Sequence, residues 1–174
     1  MPFITGPNTN RLETLAKLAK DPRDLVLVAV EMIEHAERRI MKDKPFATLP
    51  EAREILRITH DWLGGKDVTV ARQDAVRHAE RGIRTENKAT GSHYEATRQV
   101  AWMVEACIAG LEPEGISKRL IYVAWEARRA IGYAGKLDWV EEGQWQVEHL
   151  ESLVLDCAQD ARFGPRLRTS TLAA

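Results

Sequence analysis

His60 and Asp61 are the neighbours in this sequence that most suggest catalysis. An imidazole nitrogen and a carboxylate oxygen both ligate divalent metals. With His35 added from an earlier segment, the three would form a donor set able to activate water for hydrolysis. The surrounding residues, Arg57-Ile58-Thr59-His60-Asp61-Trp62, give the pair little further support. In a chain with 5 His, chance alone supplies roughly a quarter of one His-Asp dipeptide. The simpler expectation places both residues on a polar edge near a helix end.

Other chemistry finds less support. The glycine spacings match neither a phosphate-cradling loop nor a dinucleotide fingerprint, and no Gly-x-Ser-x-Gly elbow occurs. No histidine has a glutamate three residues before it, which a four-helix di-iron site would need. His78, His93 and His149 stand singly and read as surface or satisfied polar residues. Cys107 and Cys157 each sit in a helical apolar pattern and read as two reduced core thiols. Arg72, Arg77, Arg81 and Arg84 recur at helical spacing, but Asp74, Glu80 and Glu86 are interleaved with them, so a solvated face is favoured over a nucleic-acid footprint. The expected protein has no cofactor, no metal and no direct nucleic-acid ligand.

The sharpest charge asymmetry lies late in the chain. Between Lys136 and Arg162 stand Asp138, Glu141, Glu142, Glu148, Glu151, Asp156 and Asp160, with no Lys or Arg among them. At about 100° per residue the apolar side chains gather around Leu150 while the acids spread over the opposite half of the helix. Trp145 falls on the acidic side, near Glu141, Glu142 and Glu148. Two readings follow. Trp145 packs against another element of the same fold, or it anchors a basic protein partner within a ring formed by Asp138, Glu141, Glu142 and Glu148.

The elements that position these residues are all helical. At 174 residues, with 44% hydrophobic and 29% charged residues, the chain can bury one core without disulfides. Apolar residues recur at spacings of three and four, with no sustained alternation. The expectation is an all-α, single-domain bundle of about seven helices over residues 1–165, ended by Gly164-Pro165, with a flexible tail at 166–174. Asp21 should cap a helix opening at Pro22. Thr48-Leu49-Pro50-Glu51 and Ser92-His93-Tyr94-Glu95 read as capping boxes, and Gly64-Gly65 as a helix stop. The dense run from Leu25 to Val30 implies burial on more than one side, and Ala71, Ala75, Val76 and Ala79 form a small-residue face on a helix from about Val68 to Ile83.

A formal net charge of −1 gives no general attraction to nucleic acid or membrane. No apolar run approaches a bilayer span, and the N-terminus lacks the pattern of a signal peptide, so the expected location is cytoplasmic.

Two resemblances bear on function. The stretches Leu49-Pro50-Glu51-Ala52-Arg53-Glu54-Ile55, Trp62-Leu63-Gly64-Gly65 and Val70-Ala71-Arg72-Gln73-Asp74-Ala75 resemble the helix–loop–helix of all-α immunity proteins from bacterial polymorphic toxin systems. Glu142-Gly143-Gln144-Trp145-Gln146-Val147-Glu148-His149-Leu150 is similar to an ending seen among related helical proteins. This resemblance implies a non-enzymatic protein that neutralises a cognate toxin, and an acidic helix face suits a basic toxin. The His60-Asp61 pair, with His35, resembles the start of the metal site of HD phosphohydrolases, which implies the alternative of a metal-dependent hydrolase. A helical scaffold or regulatory subunit, phage-encoded or otherwise, is the third reading.

Overall fold

In the computed structural model the described residues, 7–42, 46–111, 113–135 and 139–163, form seven helices and no strand. The helices are α1 (Pro7–Leu18), α2 (Pro22–Met41), α3 (Pro50–Leu63), α4 (Ala71–Arg81), α5 (Lys88–Ile108), α6 (Pro113–Tyr133) and α7 (Trp139–Phe163). The all-α bundle expected from the apolar spacing is therefore present. The tail at 166–174 and the capping position Asp138 lie outside the described residues, as does the side chain of Cys157.

Three long helices make the centre. α5 and α6 pack along each other and α2 lies across both, while α3 and α4 cover α5, and α1 pairs with α7 beside α6 and α2. The sequence of α2 explains its central place. Leu25, Val26, Val28, Ala29, Val30, Met32 and Ile33 are all buried, so the helix is apolar nearly all round over its first three turns. A helix of that kind needs neighbours on several sides. The main core joins these residues to Leu12, Leu56, Val100, Met103, Ile116, Leu120, Val123, Val147 and Leu150. A second cluster seats Ala75 and Ala79 of α4 against Ile55, Ile58 and Ala101, which is the close approach that small side chains permit. A third joins Ala36 and Ile40 to Ala127, Ala130 and Ile131.

Local chemistry sets several helix ends. Asp21 accepts a hydrogen bond from the Arg23 amide at 2.9 Å, with Pro22 in the first turn, where a missing N–H costs nothing. At the end of α3, Gly65 has φ 81°, and the Lys66 amide bonds the Asp61 carbonyl at 2.9 Å while the Gly65 amide bonds that of Trp62. This left-handed closure satisfies two terminal carbonyls and suits a residue without Cβ.

Two expected caps are displaced. Helix α3 opens at Pro50 behind Leu49, not behind Thr48, and makes no side-chain cap bond. A Thr48 cap would require Leu49 in helical conformation, but the ring of a following proline drives the preceding residue extended, and Leu49 sits at φ −66°, ψ 142°. Helix α5 begins a turn before Ser92. Asn87 caps it, its side chain accepting from the amides of Ala89 (3.0 Å) and Thr90 (3.1 Å). The fourth helix is also shorter than its apolar pattern suggests, starting at Ala71 and ending at Arg81.

Candidate functional site

The acidic helix α7 is positioned by its buried face. Val147 and Leu150 enter the main core, and the Gln146 amide donates to the Ala124 carbonyl of α6 at 3.0 Å. These contacts fix the rotation of the helix, and with it the directions of Glu141, Glu142, Glu148 and Glu151.

Rotation separates the residues that sequence placed in one ring. Glu142 is fully buried rather than outward-facing, which corrects its assignment to a partner-binding surface. His35 Nδ1 of α2 stands 3.2 Å from Glu142 Oε1 and 3.1 Å from Oε2, and Arg39 reaches within 3.6 Å of Oε2. A carboxylate in the interior is tolerable only with such company. The same charge acts on the neighbouring Arg128 of α6, whose guanidinium burial pulls down and Glu142 partly restores.

Trp145 is half-buried and lies between two imidazoles. Its ring stacks on His35 with centroids 3.7 Å apart and planes 7° from parallel, and on His149 at 4.8 Å and 11°. The indole is thus packed within the fold, as the first of the two sequence readings had it, and both its faces are taken. Glu141 remains 70% exposed and receives Arg39 at 3.2 Å. Glu148 is exposed and bonded only by the Gln144 amide at 2.7 Å among the described residues. Glu151 pairs with Arg11 of α1 at 2.7 Å. Part of the acidic field is therefore answered from within the molecule, by Arg11 and Arg39.

Sequence reasoning missed the partners of the histidines. His149 Nε2 lies 2.6 Å from Glu31, His60 Nε2 lies 2.6 Å from Glu34, and His93 Nε2 pairs with Glu37. All three glutamates belong to α2. Residues three apart on a helix turn by about 300°, so Glu31, Glu34 and Glu37 fan round α2 in steps of about 60°. Each step reaches a different neighbour, α7, α3 and α5 in turn. His35, four residues beyond Glu31, returns to the α7 side. The Glu31-Glu34-Glu37 spacing was legible, but nothing local tells a glutamate that its partner is an imidazole on another helix.

The alternative metal set does not assemble. His35 is committed to Glu142 and Trp145, His60 to Glu34, and Asp61 to Arg57 (2.9 Å) and Lys66 (2.6 Å), whose ammonium holds the Asp61 carboxyl below its usual range. Among the described residues no group of three or more His, Cys, Asp and Glu side chains could hold a metal ion. None of the described helices is long and apolar enough to cross a membrane.

No family model, curated protein or solved structure matches the chain.

Proposed function

We propose that the chain is a non-enzymatic protein-binding module of the immunity or antitoxin kind, acting in the cytoplasm and neutralising a basic toxin through the outer edge of α7. One observation carries this reading. Between residues 139 and 156 the helix bears five acids and no Lys or Arg, and Glu148 has no cation within ion-pair distance among the described residues. Glu141, 70% exposed, extends the same edge beside Val140, which is 79% exposed. Exposed charge of one sign steers an oppositely charged partner, and an exposed apolar residue beside it supplies contact area. Trp145 takes no direct part, because its two faces are covered by His35 and His149. The resemblance to all-α immunity proteins points the same way.

The test is association of the full chain with the product of the gene beside its own. With E141K and E148K combined, the association rate should fall about tenfold or more, and added salt should slow the wild type, since exposed fields are screened beyond about 8 Å at physiological ionic strength. An association rate indifferent to both changes would sink the reading. Tight, salt-insensitive binding to a partner without toxicity would favour the scaffold reading instead.

A further inference from the structure

Between α5 and α6, away from α7, lies an open cavity of about 400 Å³. Arg84, Lys88, Ser92, Glu126, Arg129 and Tyr133 are among its lining residues. Its charges are layered. The carboxylate of Glu126 is mostly buried, with a side-chain exposure of 13%, and burial pushes its acid up. Oε1 receives Arg129 at 2.9 Å, but Oε2 is buried with no hydrogen-bond partner. Buried polar atoms without partners are uncommon, and each carries a desolvation cost of about 1–3 kcal/mol.

Arg129 is held in place rather than available. It donates to Tyr133 Oη at 2.7 Å, and its guanidinium lies 4.4 Å from the centroid of Trp125 and 5.3 Å from that of Tyr133. Glu95, also at the cavity, is paired with Arg98 at 2.6 Å. The polar groups left without an ion-pair or hydrogen-bond partner among the described residues are therefore Oε2 of Glu126, whose Oε1 is paired with Arg129, and two exposed cations, Arg84 and Lys88. Lys88 Nζ rests 5.7 Å from the Tyr133 ring centroid, and Arg84 makes no ion pair among the described residues.

We propose that this cavity binds a small zwitterion, an amino acid in the broad sense, with its ammonium group received by Glu126 and its carboxylate by Lys88 and Arg84. The arrangement selects against the simpler alternatives. A bare anion would be drawn by the two exposed cations but meet a carboxylate inside. A bare amine would satisfy Glu126 but must pass two like charges, and a neutral molecule leaves both ends unmatched. The volume lies within the range of small-ligand sites. Arg84, in the segment between α4 and α5, is placed at the carboxylate end. The proposal shares no residue with the α7 edge and stands or falls independently of it.

The test uses the purified full chain and a graded series of ω-amino acids from glycine to 6-aminohexanoate, with hexanoate and hexylamine as single-charge controls. One chain length in the series should raise the melting temperature at about 10 mM, as ligands of the folded state do. The amide resonances it shifts should be those of Gly91, Ser92 and Tyr133. The controls should do neither. In the R84A/K88A double variant, whose substituted side chains are exposed and whose unliganded melting temperature is measured alongside, affinity should fall about tenfold or more. E126Q should abolish binding where it folds, and the double variant decides the matter where it does not. The idea is overturned if no member of the series binds, if hexanoate or hexylamine binds as well as the best zwitterion, or if R84A/K88A binds like the wild type.

Discussion

The indole of Trp145 lies flat on the imidazole of His35, with centroids 3.7 Å apart, and the same imidazole holds the buried carboxylate of Glu142 through Nδ1. One histidine on α2 thus joins an aromatic contact to a buried charge contact, both from α7. A tryptophan used this way is a fastener of the bundle, and its removal should be felt as lost stability. Trp145→Ala is expected to cost about 3 kcal/mol, the lower end for deleting a large aromatic because the ring is only half-buried. Urea denaturation checks this. A change under about 0.5 kcal/mol, as at an ordinary surface site, would mean that the stack contributes nothing.

Glu142 and Glu148 lie on one helix six residues apart, yet should respond very unequally to the same substitution. Glu142→Ala leaves His35 and Arg39 without their interior carboxylate, a change expected to cost about 3 kcal/mol or more. Glu148→Ala removes an exposed acid and should stay within about 0.5 kcal/mol. A double-mutant cycle between His35 and Glu142 should return a coupling energy of about 1 kcal/mol or more, and additivity of the two changes would refute the contact.

These residues also show where the sequence can be read and where it cannot. The cap at Asp21 and the stop at Gly65 depend on atoms a few residues apart, so local pattern suffices. The α5 cap was misplaced because Ser92-x-x-Glu95 and Asn87 sit about one turn apart, and both offer oxygen to amides. What distinguishes them is tertiary, since Ser92 is buried against α6 while Asn87 stays exposed at the helix end. The inward turn of Glu142 escaped for the same reason. Six acids in one helix suggest a solvated face, and only the presence of His35 and Arg39 across the interface permits one of them to be buried. The three α2 glutamates likewise acquire their histidine partners from packing alone.

Cys107 gives a test by pH. Burial, reinforced by the charge of Asp21, pushes its thiol from the ordinary 9.0 up to about 11. The folded state therefore retains a proton that the unfolded chain releases first. Any stability contribution is fully present below about pH 9 and is lost as pH rises through about 11. Because the thiolate is the nucleophile, alkylation of Cys107 in the folded protein at pH 8 should be well below that of the denatured chain. Rapid modification of native Cys107, located by mass spectrometry, would contradict the burial.

Gly143 separates two effects of similar size. It lies in α7 directly after Glu142, where the helix approaches α1 and α6, and a Cβ built there would stand 2.9 Å from Asn8 Nδ2 and 3.0 Å from Arg128. Replacing a helical glycine by alanine gains about 1 kcal/mol in backbone propensity. Against this stands the displacement of two side-chain ends, which can swing away. Swinging Arg128 costs more than usual, because its guanidinium is mostly buried and shares the Glu142 charge. The two effects should nearly cancel, leaving Gly143→Ala within about 1 kcal/mol of the wild type. Gly143→Leu gains the same propensity but drives a branched chain into the space of Asn8 and Arg128, and overpacking of that kind costs about 1–3 kcal/mol. Thermal unfolding of the pair should give a near-neutral alanine and a clearly destabilised leucine. Two equally stable variants would show that α7 does not approach Asn8 and Arg128 this closely.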